Sequence, residues 1–151
     1  CLTASITRLI TVPDIKRVIE AVKQHPACVA GMPVKDTIKI SNADGFASDT
    51  PERRHLWQIQ TPQAFRFDLI LNAYERMMRL QEEKERITDD AMVVETMTPC
   101  LVKLVEGDYR NIKVTTPEDL LIAEAFLSYG ELPQHFWQDG KTVSKGRILK
   151  N

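Results

Sequence analysis

Runs of β-rich sequence alternate with runs of helical period along this chain, and that alternation constrains the fold more than any other feature. Strands followed by capped helices argue an α/β domain with a largely parallel sheet. The clearest case is 111–126, where Ile112 and Val114 share one face of a short strand, Lys113 faces the other way, and a helix follows at once. Thr116 is a natural N-cap, Pro117 suits the first helical position, and Glu118 and Asp119 suit the positive helix start. A buried strand rarely carries a lysine without a partner, so Lys113 stands either at a strand end facing solvent or in a cleft facing an anion.

Upstream, Pro13 and Asp14 open a helix in which Ile15, Val18, Ile19 and Val22 point inward, Lys16, Arg17 and Glu20 lie outside, and the end falls near His25-Pro26. Residues 27–34 form an apolar run of strand length, and 56–60 form another that Thr61-Pro62-Gln63 breaks before the next helix. That helix, over 66–86, buries Leu69, Ala73, Met77 and Leu80 and closes in a charged, solvated run. Thr88, Asp89 and Asp90 cap a short helix with Met92, Val93 and Met97 inward, ended by Thr98-Pro99. Strands are expected over 100–105 and 111–115, then a last helix over 117–129 with Gly130 as its stop. The start, without a methionine or a capped onset, reads as a cut end; 131–151, with little periodicity, reads as a partly disordered tail.

The polar stretch 35–54 interrupts this order and lacks the apolar content to cover itself. Polar excursions of that length are lids, binding arms or disordered segments. Thr37-Ile38-Lys39-Ile40 alternates, so the stretch begins as one strand of a projecting hairpin whose turn lies near Asn42, Asp44 and Gly45.

Composition narrows the function classes. A chain of 151 residues, 43% hydrophobic, buries one core. Lys and Arg number 20 against 21 Asp and Glu, a net charge of -1, so no broad field attracts nucleic acid or anionic membrane, and any anion site is local. Cys1, Cys28 and Cys100 have no metal-ligand spacing and read as free buried thiols of a cytoplasmic protein; no apolar run is long enough to span a bilayer. His25, His55 and His135 lack the pairing of a metal site, and no nucleophile elbow, Walker loop or dinucleotide fingerprint occurs. The residues left to carry chemistry are basic or hydroxylic: Lys35, Thr37, Lys39, Arg53 and Arg54 in the arm, Thr61, and Lys113. Arginine offers phosphate a planar fork and lysine a point charge, so the set suits a phosphorylated small molecule gathered at the carboxyl ends of the strands.

Four motifs in order and register carry a resemblance: Pro33-Val34-Lys35-Asp36-Thr37-Ile38-Lys39; Leu56-Trp57 ahead of Gln60-Thr61-Pro62-Gln63-Ala64-Phe65; Ile87-Thr88-Asp89-Asp90-Ala91; and Val105-Glu106-Gly107 ahead of Asn111-Ile112-Lys113-Val114-Thr115. Over residues 9–129 they resemble the C-terminal half of the methylerythritol phosphate cytidylyltransferase family. The resemblance implies a nucleotidyltransferase fold, GT-A-like and Rossmann-like, with a mixed, mainly parallel sheet and a projecting β-arm. It also implies one unit over 1–130, with 35–56 as the arm for dimerisation and substrate. In such a family CTP and magnesium are bound, and the phosphate of methylerythritol phosphate attacks the α-phosphorus with release of pyrophosphate.

By motif, the resemblance makes Lys113 the lysine that positions the reacting phosphates and Arg53 the arm arginine that grips the substrate phosphate. Thr37 and Thr61 add hydroxyl contacts. The arm crosses a homodimer, so Thr37 and Arg53 serve the neighbouring subunit's site and Lys113 its own. The sequence departs from the family pattern in two ways. The glycine-rich triphosphate loop belongs to the half that is not present, and where the family has a metal-binding aspartate this chain reads Ala4-Ser5-Ile6-Thr7-Arg8. The expectation is therefore a substrate-side half-site, inactive alone, with no metal ligand of its own. A ribitol-5-phosphate cytidylyltransferase fragment and a non-catalytic dimerisation module are the alternatives.

Overall fold

The computed structural model describes residues 1–3, 9–80 and 87–128. Its elements in chain order are β1 (Leu2–Thr3), α1 (Val12–Val22), β2 (Ala27–Pro33), β3 (Ile40–Ser41), β4 (Ala47–Asp49), a 3-10 turn (Arg53–His55), β5 (Trp57–Phe65), α2 (Phe67–Arg79), α3 (Asp90–Met97), β6 (Lys103–Glu106) and α4 (Pro117–Ser128).

β2 is the centre because its side chains are small and apolar on both faces. Alternation sends Ala27 and Val29 to one side, where Phe65, Ile70 and Ala73 join Ala91, Val93, Val94 and Met97 under α2 and α3. Cys28 and Ala30 go to the other side, against Val18 of α1 and Ala64. A strand covered on both faces reads as a continuous apolar run, as 27–32 does.

The α/β class with a mixed sheet holds, but the largely parallel order does not hold within the described strands. The sheet order is β1-β5-β2-β6; β1 and β2 both run antiparallel to β5, and only β2 and β6 are parallel. The reason is the connection: β2 returns as β5 through the projecting arm, with Val34 N–H bonded to the Leu56 carbonyl at 3.0 Å, and a hairpin-like return is antiparallel. The arm forms the expected hairpin. β3 pairs with β4, Asn42 Oδ1 accepts from the Asp44 and Phe46 amides, and Gly45 takes the left-handed φ of 83° that the turn needs.

The helices start where their caps lie. Thr11 Oγ1 accepts from the Asp14 amide while Asp14 reaches back to the Thr11 amide, Asp89 caps α3 through the Met92 amide at 2.8 Å, and Thr116 and Asp119 bond reciprocally at the head of α4. Several expectations are corrected. α1 stops at Val22, and Ile19 is 42% exposed, while Val18 is the buried apolar residue of the helix. Leu80 is the exposed C-cap of α2, and Ile70, which shares a face with Ala73 and Met77, is buried in its stead. Residues 111–115 make no strand: Lys113 forms a single β-bridge. Cys1 is exposed, and only Cys28 is fully buried, which pushes its thiol pKa up by desolvation. The expected helix end over 81–86, the Ala4 to Arg8 segment, the Gly130 stop and the 131–151 tail lie outside the described residues.

α4 presents Leu120, Leu121, Ile122 and Leu127 to solvent, and β6 is an edge strand of the described sheet. Among the described residues no helix is long and apolar enough to cross a membrane.

Candidate functional site

The site begins at an irregularity in β5. Val29 pairs with Gln63 and Gly31 with Ile59, so residues 60–62 bulge opposite Ala30. The sequence suggested that Thr61-Pro62-Gln63 would end the strand; instead β5 runs on to Phe65, because at a bulge Pro62 owes no ladder hydrogen bond. The Thr61-Pro62 peptide is cis.

Two buried amides clamp this bulge to the turn that follows β6. Asn111, fully buried, donates from Nδ2 to the Thr61 carbonyl at 2.7 Å and to Gln60 Oε1 at 3.5 Å. Gln60 Nε2 donates to the Asp108 carbonyl at 2.8 Å. Gly107 is a glycine for steric reasons: a Cβ there would lie 2.4 Å from Gln60 Oε1, while its amide bonds to the Gly31 carbonyl at 2.9 Å. The turn is closed by Asp108, whose carboxylate accepts from the Arg110 amide and guanidinium. Burial pushes the Asp108 carboxyl up, yet the hydrogen bonds and charge of Arg110, with the charge of Arg17, outweigh it and hold the pKa below the usual 3.8. Arg17 braces the turn from α1, donating to the carbonyls of Glu106 at 3.0 Å and Gly107 at 3.1 Å, and is held by the buried Asp14.

Lys113 leaves this turn and lines a concavity of about 350 Å³ with Ile59, Gln60, Thr61, Gln63, Thr88 and Asp89. Asp89 is already engaged: Oδ1 accepts from the Met92 amide and Oδ2 from Gln63 Nε2 at 2.9 Å, while Gln63 Oε1 accepts from the Ala91 amide. Positive charge for a bound anion therefore comes from the exposed Lys113. Thr61 Oγ1 is buried and has no hydrogen-bond partner among the described residues. A buried hydroxyl without a partner is uncommon and calls for an explanation.

The structure brings Lys113 and Thr61 together and leaves Arg53 and Thr37 apart from them. Thr61 lies inside β5 and not at a carboxyl end. Arg53, in the 3-10 turn, borders a separate concavity of about 510 Å³ with Pro33, Val34, Glu52 and Arg54. Thr37 is exposed on the arm. Sequence reasoning passed over Gln60, Gln63 and Asn111, whose signal was an amide side chain inside apolar strand sequence: such a residue, once buried, must bond to something specific.

A family model described as 2-C-methyl-D-erythritol 4-phosphate cytidylyltransferase matches residues 4–129. Proteins of that name from Caldanaerobacter subterraneus subsp. tengcongensis and Lachnospira eligens are 51% and 55% identical over 79% and 72% of this chain. The chain spans about half the length of these curated relatives, 51% and 47%. Among solved structures, 4-diphosphocytidyl-2C-methyl-D-erythritol synthase from Anaerococcus prevotii superposes with a TM-score of 0.76 at 35% identity, covering 84% of this chain and 57% of that one. The Thermus thermophilus 2-C-methyl-D-erythritol 4-phosphate cytidylyltransferase gives 0.71 at 31%, covering 82% and 59%.

Proposed function

Because the chain belongs to the 2-C-methyl-D-erythritol 4-phosphate cytidylyltransferase family, we propose that it supplies the sugar-phosphate side of a cytidylyl-transfer site. In the whole reaction CTP and methylerythritol phosphate give CDP-methylerythritol and pyrophosphate. The observation that carries this reading is the concavity lined by both Lys113, an exposed ammonium, and Thr61, whose buried hydroxyl lacks a partner among the described residues. Phosphoryl transfer asks the protein chiefly for positioning and charge stabilisation. Lys113 holds the reacting phosphates, Thr61 adds a hydroxyl contact, and Arg53 and Thr37 grip the substrate phosphate from the arm.

The arm's exposure favours a homodimer in which Arg53 and Thr37 act at the neighbouring subunit's site. Residues 35–50 are exposed throughout, Ile38, Ile40 and Phe46 included, and a polar arm that leaves three large apolar side chains uncovered fits a second copy. The arm 35–56 then belongs to one functional unit over 1–130, in a cytoplasmic enzyme. The relatives' names favour methylerythritol phosphate over ribitol phosphate.

Magnesium, implied by the family resemblance, does not fit the described residues as they stand. It is typically held through one or two carboxylates plus substrate phosphates; here both oxygens of Asp89 accept from the Met92 amide and Gln63, and Asp108 is ion-paired with Arg110, so neither carboxylate stands open to a cation.

Calorimetric titration of methylerythritol phosphate into the chain tests the reading. Removing a charge-assisted contact in Lys113→Ala or Arg53→Ala should weaken binding by about tenfold or more. Equal affinity of wild type and both variants would sink the assignment. Pyrophosphate release from CTP plus methylerythritol phosphate is expected not to exceed that of the Lys113→Ala control.

A further inference from the structure

We propose that Tyr109 is a positioning residue that straps the root of the arm to the turn carrying Lys113, and so sets where Arg53 stands. Tyr109 lies in the turn after β6, and its hydroxyl donates to the Pro33 carbonyl at 2.8 Å, where β2 ends and the arm departs. Two residues further on, Lys35 Nζ sits 3.4 Å from the centroid of the Tyr109 ring. That is close cation–π contact. The backbone carbonyl of the same Lys35 accepts from Arg53 Nη1 at 2.8 Å. A continuous path therefore runs from the Arg53 guanidinium through Lys35 and Tyr109 into the turn.

The far end of the path is rigid. The Asn111 amide bonds to the Asp108 carbonyl at 3.0 Å and its side chain to the Thr61 carbonyl at 2.7 Å, and Lys113 follows two residues later. The near end is the arm's root, where Val34 N–H bonds to the Leu56 carbonyl at 3.0 Å. Residues 35–50 are exposed, so a small rotation at the arm's root would swing the hairpin and Arg53 together. A ring and a hydroxyl on one side chain, gripping the last strand residue and the first arm lysine, oppose that rotation.

The functional half of this inference rests on the reading that Arg53 and Lys113 hold phosphate; the strap itself does not. The test uses residues 1–151 with Tyr109→Phe, which keeps the ring, and Tyr109→Leu, which removes ring and hydroxyl. In the wild type and Tyr109→Phe the Lys35 ε-methylene protons should be shifted upfield by the ring current, and in Tyr109→Leu they should return to the position of a solvated lysine. Hydrogen exchange at the Val34 amide should rise about fivefold in Tyr109→Phe and tenfold or more in Tyr109→Leu, as expected for one and two lost contacts. Affinity for methylerythritol phosphate should fall about fivefold in Tyr109→Leu with the urea midpoint lowered by less than about 1 M, so that the domain stays folded, and be largely kept in Tyr109→Phe. Unshifted Lys35 protons in the wild type, or unchanged Val34 exchange in Tyr109→Leu, would overturn the strap. Wild-type affinity in Tyr109→Leu would overturn its positioning role. Should the wild type bind no phosphate ligand at all, the phosphate reading fails, and the exchange and proton-shift data decide the strap alone.

Discussion

Asn111→Ala is the sharpest test of how the site is built. The side chain is fully buried, and its Nδ2 satisfies the Thr61 carbonyl at 2.7 Å inside the β5 bulge. Truncation leaves that carbonyl buried without its donor, a loss of about 1–3 kcal/mol. The second bond, to Gln60 Oε1 at 3.5 Å, is long and adds little. The space vacated by the amide adds about 1 kcal/mol if the surroundings do not collapse. The sum is roughly 2–4 kcal/mol, a large part of the roughly 5–15 kcal/mol margin of a domain. With a urea slope of about 2 kcal/mol/M the midpoint should fall by roughly 1–2 M at unchanged slope. Two controls bracket the result. Lys113→Ala, at an exposed position, should stay within about 0.5 kcal/mol of wild type. Gln60→Ala, which removes the bond to the Asp108 carbonyl, should combine with Asn111→Ala for less than the sum of the two losses, since both act on one network. A midpoint shift below about 0.3 M for Asn111→Ala, or strict additivity with Gln60→Ala, would refute the clamp.

Thr61→Val removes a buried hydroxyl that has no described partner, so the urea midpoint should hold or rise slightly while affinity for methylerythritol phosphate drops; a clear loss of stability would show that the hydroxyl serves the fold. The Tyr74 hydroxyl, whose pKa is pushed up to about 12 first by its hydrogen bond to Asp90 and then by burial, should titrate late in a phenolate absorbance scan and move back toward 10 in Asp90→Asn. Because the folded pKa is the higher one, this contact supports stability in full below about pH 10 and loses its effect as pH rises through about 12; Tyr74→Phe should abolish that alkaline dependence, and an unchanged profile would count against it.

The parts that could be read from sequence are those whose causes are local. Asp89 and Thr116 announce their helices because a cap bonds to an amide two or three residues ahead, whereas Thr11, the cap of α1, lies two residues before the Pro13 that marked that helix. The arm's turn is equally local, since Asn42 and Gly45 carry it between them. What failed depended on partners far along the chain. Pro62 signals a strand end by its own chemistry, yet β2 pairs on both sides of it. The antiparallel sense of β5 follows from where the arm returns, which spacing alone does not reveal. Ile19 obeys the helical period yet stays exposed among the described residues, because the period fixes a face and not what packs on it.

Lys113 shows the same division at the candidate site. Alternation placed it on a strand, and a strand ladder would have oriented it; the structure has one bridge there and no ladder. The chain must therefore hold Lys113 by another means, and in the described turn the pair of amides on Gln60 and Asn111, with Asp108 closing the loop, ties it to β5. It follows that the asparagine two residues ahead of the lysine governs its geometry, although it carries no charge and takes no part in the chemistry proposed for the site. A side chain of this kind is invisible to a search for catalytic types and conspicuous to a count of buried polar groups. Thr61 completes the argument, because Asn111 holds its carbonyl and leaves its hydroxyl unsatisfied. The clamp thus sets the backbone of both residues that border the concavity, so a change in the Asn111 amide should move Thr61 and Lys113 together.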